Sequence, residues 1–232
     1  MNRALVLLSC FVLNGFVLCA QSIQEGKAHF FAQRYQLADA VFQQLLKANP
    51  ADAEALYWGG QSAISLELDS TRKPSVARAW YDKAMQTAAA SPLVQVGAGQ
   101  ADLYENKINE ARQKFESALT QTRTRKGDNA DILIAIARAN TDAPFHDLET
   151  IIAKINAQVE KGEKNAELYL MLGNAIRKAR PGEGGGEAFR NYQEALKLNP
   201  NYALASYRLA RLFDSQKNWE MVSQYLNECV QK

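Results

Sequence analysis

Few side chains in this sequence have the type and spacing that catalysis or metal binding requires. The two histidines, His29 and His146, have no second ligand at metal-binding spacing, such as a histidine four residues away. Each is expected to be a surface or helix-end residue. Acidic residues such as Asp39 and Glu54 are scattered and form no pair arranged for acid-base chemistry. We therefore expect no catalytic centre, no metal and no cofactor.

The glycine-rich stretch from Gly182 to Gly186 invites comparison with a phosphate-binding loop. It lacks the Lys-Ser/Thr pair that follows such a loop, and it comes after a predicted helix instead of a strand. We interpret it as a flexible connection between helices. The three cysteines, Cys10, Cys19 and Cys229, are too few for a disulfide framework.

The first twenty residues have the pattern of a secretory signal peptide. Arg3 precedes an apolar stretch from Ala4 to Ala20, and the small side chain of Ala20 suits cleavage before Gln21. Two alternatives remain open. The stretch could be retained as a membrane anchor, although it is at the short limit for a span. It could also belong to a lipoprotein acylated at Cys10, although few apolar residues precede that cysteine.

Length and composition set the broad class of protein. The chain has 232 residues, of which 47% are hydrophobic and 22% charged, which excludes disorder, collagen and multi-span membrane architectures. Its 27 basic and 25 acidic residues give a net charge of +2, and neither sign is concentrated in a tail. Charge therefore gives no reason to expect a nucleic-acid partner.

Small and aromatic residues recur along the rest of the chain at helical spacing. Ala188, Tyr192 and Ala195 fall on one stripe of a helix. An alanine followed four residues later by an aromatic residue also occurs at Ala38 and Phe42, Ala77 and Tyr81, and Ala111 and Phe115. A glycine precedes each pair, at Gly26, Gly60, Gly99 and Gly173. Because a glycine within a helix costs about 1 kcal/mol relative to alanine, its recurrence predicts close approach of a second helix.

This pattern resembles the tetratricopeptide repeat, a helix-turn-helix unit of about 34 residues. The segment from Asn165 to Pro200 carries the resemblance best, through Tyr169, Leu172, Gly173, Ile176, Ala188, Tyr192, Ala195 and Pro200. The resemblance implies an all-α, right-handed solenoid of antiparallel helix pairs after the signal peptide at 1–20. Six repeats are predicted, at residues 21–50, 51–90, 91–126, 127–164, 165–200 and 201–232. Cys229 stands where the family has a small alanine, which favours a buried, unreactive thiol.

In such an array the first helices of the repeats line a concave groove. Counting from the Leu-Gly position of each repeat, the predicted groove residues are Tyr57, Trp58, Gln61, Ile64, Gln100, Leu103, Tyr104, Arg138, Leu170, Asn174, Arg177, Lys178, Tyr207, Arg208 and Arg211. Tyrosine, tryptophan and arginine are the residue types of binding hot spots. The alternative is that several of them belong to the core between repeats.

The repeats account for nearly the whole chain after residue 20, which leaves no room for a catalytic domain. We therefore expect an exported, non-enzymatic adaptor that binds a peptide or partner-protein segment in its groove, as a monomer or weak dimer without a membrane span after cleavage. Its ligand is expected to be apolar toward one end and acidic toward the other. We expect a bacterial protein that is located in the periplasm or outside the cell. One alternative is a membrane-held subunit of a cell-envelope assembly complex. Another is an enzyme with its chemistry in a lengthened loop near Pro74, Pro144 or Pro181.

Overall fold

The structure is a computed structural model that describes residues 22–71 and 75–231. In these ranges the chain forms twelve helices and no strand, which confirms the prediction of an all-α protein of helix pairs. The helices are α1 (Ile23–Phe31), α2 (Tyr35–Ala48), α3 (Ala53–Thr71), α4 (Val76–Ala88), α5 (Pro92–Tyr104), α6 (Ile108–Thr122), α7 (Ala130–Asp142), α8 (Leu148–Glu160), α9 (Ala166–Ala179), α10 (Gly185–Leu198), α11 (Ala203–Ser215) and α12 (Trp219–Val230).

Several sequence predictions lie outside the described residues. They are the signal peptide with its cleavage after Ala20, the possible acylation of Cys10, and the loop proline Pro74. Among the helices that are described, none combines the length and the apolar character that a membrane crossing needs.

The chain divides into two compact units between Val76 and Ala77. The N-terminal unit holds α1 to α3, and α1 packs against both α2 and α3. Ser22 starts α1 by accepting a hydrogen bond from the backbone N–H of Glu25 at 3.1 Å. The core of this unit is aromatic, because Trp58 on α3 makes edge contacts with Phe30 and Phe31 at ring-centre distances of 5.2 and 5.5 Å.

The C-terminal unit consists of successive helix pairs. Helix α5 pairs with α6, α7 with α8, α9 with α10, and α11 with α12. The first helices α5, α7 and α9 also contact one another in sequence, so they form a row within this unit. Residues on the first helices of different repeats are thereby brought to one side of the row.

Glycines allow the two helices of a pair to approach closely. A Cβ atom placed on Gly99 would lie 2.5 Å from the ring of Phe115, and one placed on Gly173 would overlap the ring of Tyr192. Gly26 in the N-terminal unit faces Phe42 in the same way, at 2.5 Å. These contacts confirm, for Gly26, Gly99 and Gly173, the prediction that the recurrent glycines make room for a second helix. For Gly60 it stays a prediction, and the ring of Tyr81 packs against Gly97 on α5.

Polar side chains fix where the first helices begin. The side chain of Asn165 accepts hydrogen bonds from the N–H groups of Glu167 and Leu168, at 2.9 and 3.2 Å, and so starts α9. Asn129 starts α7 by accepting from the N–H of Ile132 at 3.1 Å. These caps set the register of the side chains that α7 and α9 present.

A buried carboxylate ties three helices of the C-terminal unit together. Asp102 on α5 is 3% exposed and accepts hydrogen bonds from Arg78 on α4 at 2.6 Å and Lys114 on α6 at 2.5 Å. Arg78 also pairs with Glu105 at 2.8 Å. Because both cations of Asp102 are held in place, this cluster is a structural ion-pair network.

Candidate functional site

The predicted groove residues of the N-terminal unit lie in its interior. Tyr57, Trp58, Gln61 and Ile64 are all 4% exposed or less. Lys27 lies over the ring of Trp58, 5.3 Å from its centre. Burial of this degree fits the alternative stated above, that these side chains form core contacts. Whether any of them also meets a ligand stays a prediction.

Four predicted groove residues of the C-terminal unit are also buried. Gln100, Leu103 and Leu170 are at most 1% exposed, and Arg138 is 8% exposed. The guanidinium of Arg138 donates to Glu167 on α9 at 2.5 Å. Its charge is therefore balanced within the protein, between the first helices of two successive repeats.

The side chain of Lys178 on α9 binds the carboxyl end of helix α7. Its ammonium group donates to the backbone carbonyl oxygens of Asn140 and Thr141, at 3.2 and 2.8 Å, and to that of Ala143. A cation at the carboxyl end of a helix is favourable because carbonyl oxygens there have no partner within the helix. Burial lowers the pKa of Lys178, and Asp142 opposes that shift. Lys178 is thus half-buried, and its ammonium group stabilises the contact between α9 and α7.

Three other predicted residues keep their charge available. The C-terminal unit has ten arginines, and five of them form salt bridges with carboxylates. In the described part of the chain, no carboxylate lies within 4.0 Å of the other five. Two of these five lie outside the first helices: Arg125 is in a turn, and Arg190 is on the second helix of a pair. The remaining three are on the first helices α9 and α11, at Arg177, Arg208 and Arg211.

We call the surface formed by Asn174, Arg177, Tyr207, Arg208 and Arg211 the basic face. Its centre is the hydroxyl group of Tyr192, which donates to Asn174 Oδ1 at 3.0 Å. Burial raises the pKa of Tyr192, whereas the charges of Arg177 and Arg208 act on the same hydroxyl and lower it. Arg177 on α9 and Arg208 on α11 therefore come close to one point.

Tyr207 contacts both arginines of α11. Its ring centre is 6.0 Å from the guanidinium carbon of Arg208 and 6.0 Å from that of Arg211. Its hydroxyl accepts a hydrogen bond from Arg211 at 3.2 Å, and this bond raises the pKa of Arg211. Arg211 is exposed, and Arg208 is partly exposed with its Nε atom buried. The basic face therefore combines residue types that bind anions, arginine and asparagine, with the aromatic ring of Tyr207.

The sequence analysis missed three residues beside this face. The first is Glu167, which neutralises Arg138. The second is Tyr202, which lies at the start of α11, where the charges of both Glu167 and Arg138 act on its hydroxyl. Burial raises the pKa of Asp142, the last residue of α7, whereas the charges of Arg138, Arg208 and Lys178 lower it. These three cations come from three different helices, so no local pattern in the sequence predicts their effect on Asp142.

Other features that the sequence analysis considered form no site in the described residues. No group of three or more His, Cys, Asp or Glu side chains within 22–71 and 75–231 could hold a metal ion. The glycine-rich stretch forms a turn followed by the first residues of α10. Cys229 is free and half-buried on α12, although the sequence predicts full burial.

Residues 23–92 match the family model for the tetratricopeptide repeat. This part of the chain carries the tetratricopeptide repeat. The twelve described helices fit the six repeats expected from the sequence. No curated protein matches the chain.

Solved structures share the fold at low sequence identity. Human IFIT1, in a dimer with m7Gppp-AAAA, aligns with a TM-score of 0.58 and 16% identity over 90% of this chain and 49% of that chain. Yeast Tom70 aligns with a TM-score of 0.52 and 16% identity over 83% of this chain and 38% of that chain. The chain thus spans half or less of the length of these two proteins, and the likeness shows the fold alone.

Proposed function

We propose that this chain is a non-enzymatic adaptor that binds an extended, acidic segment of a partner protein at the basic face. The tetratricopeptide fold supports a scaffold for protein–protein interaction. The observation that carries the proposal is the grouping of Arg177, Arg208 and Arg211 without carboxylate partners in the described structure. The other first-helix arginine of the C-terminal unit, Arg138, is neutralised by Glu167.

The residue types of the basic face suit carboxylates. An arginine presents several N–H donors in a fixed plane and pairs with a carboxylate through two parallel hydrogen bonds. Tyr207 adds an apolar ring that an extended segment can cover without much loss of side-chain entropy. A single surface of this size suggests an affinity in the micromolar range, about −8 kcal/mol.

The apolar part of the expected ligand has weaker support than the acidic part. Tyr57 and Trp58 are buried within the N-terminal unit, so the aromatic surface that the sequence predicts there is not open. Tyr104 in the C-terminal unit remains partly exposed at the end of α5. The proposal therefore rests on the acidic part of the ligand.

Fluorescence anisotropy tests this proposal with a labelled peptide that contains four consecutive glutamates. The wild-type chain should bind it, and the Arg208→Glu, Arg211→Glu double variant should bind at least about tenfold more weakly, or about 1.4 kcal/mol. Arg190→Glu is the matched control, because Arg190 is exposed on the second helix α10 and is not one of the residues of the basic face. Equal weakening by the control would show a general charge effect and contradict the proposal.

Binding of nucleic acid is a separate outcome of the same experiment. The IFIT1 structures hold PPP-AAAA or m7Gppp-AAAA. We expect a labelled PPP-AAAA oligonucleotide not to bind at the basic face. Any residual binding of this RNA should therefore be the same in wild type and in the double variant. Binding to this RNA alone, with no binding to the glutamate peptide, would replace the proposed ligand.

We also propose that the protein is exported, on the strength of the charge pattern and apolar stretch of residues 1–20. N-terminal sequencing of the protein recovered from its natural source should begin at Gln21. A retained Met1 or a lipid-modified Cys10 would favour the membrane-held alternative.

A further inference from the structure

Phe145 is a large apolar side chain that is left exposed in the connection between α7 and α8, at residues 143–147. The ring is 42% exposed, and Pro144 before it is exposed as well. The other connections from a first to a second helix in the C-terminal unit are 105–107, 180–184 and 216–218. Their sequences contain no aromatic residue and no Leu, Ile, Val or Met. An exposed phenyl ring at this edge of the unit is therefore particular to one repeat.

Polar contacts fix this connection to the helices around it. The side chain of Asn140 on α7, which is fully buried, accepts a hydrogen bond from the N–H of Asp147 at 2.8 Å. The carboxylate of Asp147 accepts a hydrogen bond from Arg112 on α6 at 2.8 Å. The backbone on both sides of Phe145 is thus held before any ligand arrives. A ligand that contacts the ring then loses little free energy in ordering the loop.

The connection lies against the last turn of α9. Lys178 on α9 donates to the carbonyl oxygen of Ala143, the first residue of the connection. Helices α7 and α8 both pack against α9. Phe145 follows Ala143 by two residues, and Arg177 of the basic face directly precedes Lys178. The exposed ring and a cation of the basic face therefore lie at the same edge, where α7 and α9 end.

The charges at this edge suit an acidic segment. The two carboxylates that follow Phe145 are already paired within the protein, because Arg112 donates to Asp147 and Arg180 donates to both oxygens of Glu149 at 3.1 and 2.7 Å. Neither is left to repel an acidic segment that runs past the ring. Arg177 has no carboxylate within 4.0 Å in the described ranges, so its charge is available to such a segment.

We propose that Phe145, with Pro144, forms the apolar contact of the binding site and packs against an apolar side chain of the acidic segment that pairs with Arg177. The inference rests on the proposed function of the basic face. It gives Phe145 the role that the sequence predicts for Tyr57 and Trp58, which are buried. An aromatic ring buries a large apolar area and loses little side-chain entropy, which suits such a contact.

The geometry also sets the spacing of the bound side chains. Neighbouring helices pack about 8 to 10 Å apart, and an extended chain advances about 3.3 Å per residue. One step from the end of α7 to the end of α9 therefore corresponds to about three residues. The partner segment should carry its apolar side chain about three residues from the nearest acidic one.

Three labelled peptides with four consecutive glutamates test this contact. One carries a leucine three residues before the first glutamate, one carries it three residues after the last, and in the third a serine replaces the leucine. Both placements are used because an extended segment can run in either direction along the edge. Wild type should bind the tighter leucine peptide at least about fivefold more tightly than the serine peptide. Phe145→Ser should bind both with the wild-type affinity for the serine peptide.

Leu198→Ser is the matched control, because Leu198 is 37% exposed but ends the second helix α10. This variant should keep the full gain from leucine. Phe145→Leu should keep most of the gain, since it preserves an apolar side chain at the contact. Thermal melting followed by circular dichroism checks that each variant folds. Unchanged affinity of Phe145→Ser for the serine peptide would show that the basic face is intact.

The outcomes separate this inference from the proposed function. If the serine peptide binds wild type and neither leucine peptide binds more tightly, the apolar contact is overturned while the adaptor function stands. The same holds if Phe145→Ser keeps the gain from leucine. If none of the three peptides binds the wild-type chain, the proposed function itself fails. Loss of the gain in Leu198→Ser as well as in Phe145→Ser would also overturn the role of Phe145.

Discussion

The ring of Tyr192 occupies the space that a side chain at Gly173 would need. Tyr192 is fully buried, and its hydroxyl is tied to Asn174, the residue after the glycine. One contact thereby joins α9 to α10 and positions a polar atom of the basic face. Packing within a repeat and the geometry of the candidate site are therefore coupled.

Replacing Gly173 should destabilise the protein because the buried ring of Tyr192 already fills the space that a side chain would need. We expect Gly173→Leu to lower the free energy of unfolding by about 1 to 3 kcal/mol through overpacking. Urea denaturation followed by circular dichroism measures this change. Gly186→Ala is the control, since nothing lies within 4 Å of a Cβ at that position on α10. Unchanged stability of Gly173→Leu would show that the helix contact is misassigned.

Trp58 should be important for stability because it is 4% exposed and packs against Phe30 and Phe31. We expect Trp58→Ala to lower the free energy of unfolding by about 3 to 5 kcal/mol. Trp219, which is 63% exposed on α12, is the matched control, and Trp219→Ala should change stability by no more than about 0.5 kcal/mol. The sequence predicts that Trp58 is a binding residue. A stable Trp58→Ala variant with weakened peptide binding would support that prediction against the present account.

Acid should weaken the ion-pair network around Glu105. Hydrogen bonds from Arg78 and Lys107 lower the pKa of Glu105 to about 2 from its ordinary value of 4.5. A depressed pKa stabilises the folded state above the ordinary value, and this stabilisation is lost as the pH falls from there toward about 2. Because Glu105 is about one-third exposed, we expect less than about 1 kcal/mol. Thermal melting of wild type and Glu105→Gln between pH 6 and pH 2 should converge at the acidic end, and a constant difference would contradict this assignment.

Helix α12 presents exposed apolar side chains at Trp219, Leu226 and Val230. We expect a monomer or a weak dimer, in which this stripe supplies the contact. Sedimentation velocity over a range of concentrations should show weak self-association that Leu226→Glu abolishes. Gln224→Glu, an exposed position on the other side of the same helix, should leave it unchanged. A dimer that persists in Leu226→Glu would place the contact elsewhere.

The helix pairs could be predicted from sequence because their signals are local. An alanine and an aromatic residue four positions apart identify the buried stripe of a second helix, and the preceding glycine identifies the contact point on the first. The orientation of the first helices was harder to predict. A shift of one residue rotates a side chain by about 100°, which is enough to move Tyr57 or Trp58 between core and groove.

The electrostatics of the candidate site could not be predicted in the same way. Arg138 and Arg177 look equivalent in sequence, yet the first pairs with Glu167, 29 positions away, and the second does not. The sequence predicts that Lys178 is a cation of the groove, whereas in the structure it binds the end of a helix almost forty positions earlier. These differences arise from contacts between repeats, which no pattern within one repeat reveals.

A reciprocal charge exchange tests most directly whether Arg208 and Arg211 recognise the ligand. Wild type and the Arg208→Glu, Arg211→Glu variant are each titrated with two labelled peptides, identical except that four glutamates in one are four lysines in the other. We predict that wild type prefers the glutamate peptide and that the variant prefers the lysine peptide, with both preferences weakening as salt is added. Retention by the variant of wild-type affinity for the glutamate peptide would contradict the assignment of binding to the basic face.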